Sequence, residues 1–115
     1  MPARAPALRT MRQDGPRILI HQPRSFRLSS PVDFDVEVVP RNGVRPDMST
    51  LKVEYDAGLV WADVTSRIKR RASMQGLRLR ARGTELPAGR HVLRLTIRDK
   101  RGRATVAELT LLVSD

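Results

Sequence analysis

The stretch Val32-Asp33-Phe34-Asp35-Val36-Glu37-Val38, bracketed by Pro31 and Pro40, alternates apolar and acidic residues without a break. In an extended chain Val32, Phe34, Val36 and Val38 share one face and Asp33, Asp35 and Glu37 the other. One face for a core and one for water is what an antiparallel sheet requires. The same period recurs on both sides of it. Strands are expected over Arg17–His21, Leu51–Asp56, Leu77–Arg82, Val92–Arg98 and Ala104–Val113, with a weaker one over Leu59–Val64. Turn residues fall between them: Arg41-Asn42-Gly43, Ala57-Gly58, Gly76, Gly83, Pro87-Ala88-Gly89 and Asp99-Lys100-Arg101-Gly102. Short strands at even spacing predict an all-β sandwich or barrel.

Two segments lack this pattern. Residues 1–15 carry Pro2, Pro6 and Gly15 and no periodicity, so they read as a disordered basic tail preceding a domain over residues 16–115. Thr65–Gln75 reads equally as a short helical turn through Arg70, capped by Asp63 or Thr65, or as an irregular connection.

Composition sets outer bounds. The chain has 115 residues, 40% of them hydrophobic, which is one domain's worth and enough for a core. It has no cysteine, which excludes disulfides, thiol catalysis and thiolate metal sites. No apolar run reaches the roughly 18 residues of a membrane helix. The first 16 residues lack the apolar stretch of a signal peptide. Three readings follow: a cytoplasmic protein, a piece of a longer exported protein, or a misplaced start codon. The second and third are favoured.

The C-terminal third is more specific. Leu86-Pro87-Ala88-Gly89, an alternating strand from Arg90 to Arg98, then Asp99, Gly102 and a last strand to Val113, resembles the ending of bacterial immunoglobulin-like and fibronectin type III-like modules. The likeness is strong over Leu86–Val113 and topological over Pro16–Arg82. It implies an immunoglobulin-like sandwich of about seven antiparallel strands in a periplasmic, secreted or cell-envelope setting. It also implies a role as spacer or binding platform. The cysteine pair of antibody domains is absent. His91 stands where related modules often carry a corner tyrosine, and its imidazole is expected to make the equivalent bond to backbone. Trp61, in the fourth strand rather than the third, reads as a core or sheet-edge residue.

Charge is unevenly placed. The chain has 22 Lys and Arg against 12 Asp and Glu, a net charge of +10. Residues 1–64 hold 9 basic and 8 acidic side chains, and residues 65–115 hold 13 and 4. Part of this excess has a structural reading. In the implied topology the second and fifth strands are neighbours, setting Asp33, Asp35 and Glu37 against Arg78, Arg80 and Arg82. The third and sixth strands set Lys52, Glu54 and Asp56 against Arg94, Thr96 and Arg98. Cations left over are Arg67, Lys69, Arg70 and Arg71 in the unreadable connection, and Lys100, Arg101 and Arg103 at the last hairpin. They converge at one end of the sandwich if Leu59–Val64 stays in the sheet of the second strand, and less securely if it joins the other.

Reactive chemistry is sparse. His21 and His91 stand alone, and no His or Cys cluster has metal-ligand spacing. Asp33, Asp35 and Glu37 share a strand face and are better matched to arginine than to calcium. No catalytic residue, cofactor or metal site is assigned. The expected function is a non-catalytic structural or protein-interaction module of an exported or envelope-associated bacterial protein, whose partner is a neighbouring domain or another protein. The alternative is binding of a polyanion, non-specific nucleic acid or anionic glycan, through the seven cations. Carbohydrate binding is weaker, because few aromatics are present.

Overall fold

The computed structural model describes residues 7–114. They form, in order, β1 (Ala7–Gln13), β2 (Arg17–Gln22), β3 (Arg27–Ser29), β4 (Val32–Val39), β5 (Pro46–Asp56), β6 (Trp61–Asp63), α1 (Thr65–Arg71), β7 (Ser73–Gln75), β8 (Arg78–Thr84), β9 (Gly89–Asp99) and β10 (Ala104–Ser114). Two sheets face each other. The larger runs β1-β10-β9-β5-β6, with β3 beside β10; the smaller runs β2-β4-β8-β7. All pairings are antiparallel except β3 with β10. The result is a β-sandwich whose strand order is compatible with an immunoglobulin-like fold.

The expected strands all form. Three more lie outside the expected set: β1, β3 and β7. The reading of Ala7–Gln13 as disordered tail is corrected, because these residues pair with Thr105–Thr110 of β10; residues 1–6 of that tail lie outside the described residues. No side chain of β1 is buried, so burial leaves no periodic trace in its sequence. Its attachment is made of backbone. β1 and β3 divide one edge of β10, since β9 occupies the other. Beyond β1, the Gly15 N–H donates to the Ala104 carbonyl at 3.0 Å, and the Thr105 hydroxyl donates to the carbonyl of Pro16. Any Cβ at Gly15 would overlap the carbonyl of Arg103.

The inward faces build the core in two groups. Val38, Leu51, Val53, Leu79, Leu95 and Ile97 form one; Val32, Leu109, Leu111 and Val113 form the other. Each fully buried aliphatic side chain contributes about 1.5–3 kcal/mol. These are the apolar positions of the period-two pattern, so the alternation decides both strand and face.

The two charge ladders form in part. In the smaller sheet Arg78 makes a fork onto Asp35, at 2.7 and 2.8 Å, and Arg80 approaches the same carboxylate at 3.5 Å. The other two acids go elsewhere. A register shift between Val32 and Phe34 brings the Gly83 N–H, rather than Arg82, to Asp33. Glu37 meets His21 from β2 at 2.7 Å. In the larger sheet Arg94 forks onto Glu54 at 3.0 and 3.2 Å, while Lys52 lies 3.7 Å away. Asp56 instead accepts the Gly58 N–H in the turn. The registers extend this second ladder across four strands, Arg9 facing Glu108, Glu108 facing Arg94 and Arg94 facing Glu54; Asp63 of β6, opposite Glu54, ends it with a like charge.

Candidate functional site

The seven leftover cations separate into two places. β6 pairs with β5 in the larger sheet, not with the sheet of β4 and β8, so the condition for convergence at one end is unmet. α1 crosses from β6 to β7, from one sheet to the other, at the level of Val53: the Val53 N–H donates to the Thr65 hydroxyl at 2.8 Å. The last turn lies at the level of Pro46, which faces Asp99. Val53 faces Leu95, and Leu95 to Asp99 spans roughly 13 Å at about 3.3 Å per residue.

At the last turn the fold engages Arg103 and Lys100 but not the Arg101 guanidinium. Asp99 is 4% exposed. Its carboxylate accepts the Arg101 N–H at 2.9 Å, the Arg103 N–H at 3.0 Å and the Arg103 Nε–H at 2.9 Å. Burial works against its ionisation, but these hydrogen bonds and the Arg103 charge together hold its pKa below the usual carboxylate value. Gly102, at φ 80°, closes the turn, and its N–H donates to the Asp99 carbonyl. Lys100 reaches Asp47 at 3.7 Å. Lys100 and Arg101 are both exposed, and Arg101 has no ion pair among the described residues.

α1 differs. Arg67, Lys69, Arg70 and Arg71 are exposed and have no ion pair among the described residues. The helix starts after Val64, which carries no side-chain cap, so neither Asp63 nor Thr65 is its N-cap. Asp63 accepts both the N–H and the hydroxyl of Thr65, and those bonds lower its pKa. Lys69, Arg70 and Arg71 occupy the last turn, where the helix dipole favours cations. Arg67 sits in the first turn, where the dipole disfavours one, and no acid accompanies it there.

Two features beyond the cations stand out. The turn from β5 to β6 projects Leu59, 102% exposed, and Val60, 66% exposed. Beside it, on the edge strand, Trp61 lies under the Arg94 guanidinium, 4.1 Å from its ring centroid. Trp61 is thus a sheet-edge residue, and Arg94 is held between an indole and a carboxylate. His91 lies buried near the start of β9, just after the Pro87–Gly89 corner. Its Nε2–H donates to the Pro87 carbonyl at 2.8 Å, and its Nδ1 accepts from the Tyr55 hydroxyl at 2.8 Å. The imidazole therefore makes the corner bond to backbone. Among the described residues no group of three or more His, Asp or Glu is placed to hold a metal ion, and no helix is long and apolar enough to cross a membrane.

No protein-family model, curated protein or solved structure matches the chain.

Proposed function

We propose that the protein is a non-catalytic, immunoglobulin-like interaction module of an exported or envelope-associated bacterial protein, and that it presents the β5–β6 turn to a protein partner. The observation that carries this reading is the pair Leu59 and Val60, apolar side chains held in water at the tip of a two-strand ribbon. A rigid sandwich makes such a tip a defined surface, because its anchor is the Arg94–Glu54–Trp61 assembly. The net charge of +10 favours a partner whose contact face is apolar and rimmed with acids. A photo-crosslinker placed at Leu59 in the native host tests it. A partner captured there and lost in Val60→Asp, with the melting temperature unchanged, is the expected result. No partner-dependent crosslink refutes the reading.

A second reading, polyanion binding, has its own observation: the four cations of α1 make no ion pair among the described residues. It narrows the basic site to Arg67, Lys69, Arg70 and Arg71, with Lys100, Arg101 and Arg103 set apart. Amide NMR during a heparin titration at two salt concentrations tests it. Shifts confined to α1, weakened by salt and absent in Arg70→Glu/Arg71→Glu, support it. Shifts that survive that double variant refute it.

A further inference from the structure

The core of the sandwich is divided, and the space between its two groups is a cavity of about 320 Å³. Protein interiors are close-packed, with few voids larger than a water molecule, so a gap of this size is not a packing remainder. Both core groups contribute to its wall: Leu79 and Leu95 from one, Leu109 and Leu111 from the other. The smaller sheet adds Phe34 and Ala81, and Ile68 of α1 borders it from the side. Phe34, Ile68 and Leu93 are partly buried: each packs against one of the core groups and also lines this space. The wall is almost wholly apolar. Two of its polar side chains, Tyr55 and His91, are hydrogen-bonded to each other. A third, Arg67, is exposed, so its part of the lining lies at an opening.

We infer that this cavity binds a fatty carboxylate, with its acyl chain between the sheets and its carboxylate at Arg67. The apolar wall disfavours a polar ligand, and an acyl chain lying along it gains dispersion contacts. A 150 Å³ cavity lined by aliphatic and aromatic side chains takes benzene. A cavity of about twice that volume suits a chain of roughly ten to twelve carbons. Charge complementarity selects the head group. Arg67 is the α1 cation that the helix dipole leaves unexplained, and it is the one that lines the cavity. A guanidinium offers a carboxylate two parallel hydrogen bonds.

Isothermal titration with laurate, kept below micelle formation, tests the assignment. Saturable one-to-one binding by the wild type is expected. Arg67→Glu lies on the exposed surface and is expected to weaken laurate about tenfold while leaving dodecanol binding unchanged. Arg70→Glu/Arg71→Glu is expected to leave laurate binding intact, which separates this site from the polyanion reading. Ala81→Leu fills the cavity and is expected to abolish binding of both ligands with no loss of melting temperature. Lack of saturable binding to the wild type overturns the inference. So does equal weakening of laurate and dodecanol by Arg67→Glu. If Ala81→Leu does not fold, methyl NMR of the wild type decides: shifts at Leu93 and Ile68 on adding laurate support the site, and shifts confined to surface methyls overturn it.

Discussion

The last turn and α1 hold similar cations and treat them in opposite ways. Around Asp99 the fold uses its arginine: Arg103 is bound by its N–H and its Nε–H to one buried carboxylate. Along α1 four cations face water and make no ion pair among the described residues. A basic run in a sequence is therefore two different things. Where a buried acid waits, the charge is part of the structure; where none does, it is available to a ligand.

The largest effect expected from this contrast is on stability. Asp99→Ala removes three hydrogen bonds and leaves Arg103 without its partner, and should lower the melting temperature by about 10 °C or more. Arg70→Glu/Arg71→Glu should leave it within about 2 °C. Comparable losses by calorimetry would break the contrast. Gly15→Ala comes next, since its Cβ collides with the Arg103 carbonyl behind the same turn. A loss of about 5–10 °C is expected, with the residue-15 amide, which donates to the Ala104 carbonyl, losing hydrogen-exchange protection.

Acid sharpens the comparison further. The folded pKa of Asp99 is depressed, as are those of Asp35, Asp47, Glu54 and Asp63. A depressed carboxylate contributes stability that is fully present above its unfolded value of about 4 and lost as pH falls toward its folded one. Stability should hold from pH 7 to about 5 and decline below 4. Asp99→Asn should flatten that decline, and Arg67→Ala should not alter it. The smallest effect belongs to the exposed sheet face. Arg94→Ala should cost about 1 kcal/mol in urea unfolding and change Trp61 fluorescence, since the guanidinium leaves the ring. Unchanged fluorescence would show that Arg94 does not rest on the indole.

Legibility followed burial. Strands with one face in the core, such as β4 and β10, announce themselves because alternation is the trace that burial leaves. β1, with every residue exposed, leaves none, and β7 is too short to establish a period. The ladders were legible as strand neighbours but not as pairs. Bulges at Val32/Phe34 and Ile20/Gln22 shift which acid meets which base. The cations of the site were all visible in the sequence. Their division was not, because it depends on which sheet β6 joins, and that short edge strand carries no buried residue to decide it.

The sequence by itself determined an all-β sandwich, the faces of its main strands and a basic C-terminal half. Those follow from local periodicity and charge, which need no partner to be read. The tertiary structure alone decided that Asp99 takes Arg103 while the α1 cations make no ion pair among the described residues, that Gly15 can be nothing but glycine, and that an apolar cavity, open beside Arg67, lies between the two core groups. Each depends on distances between residues far apart in the chain, and only the docking of two sheets fixes those.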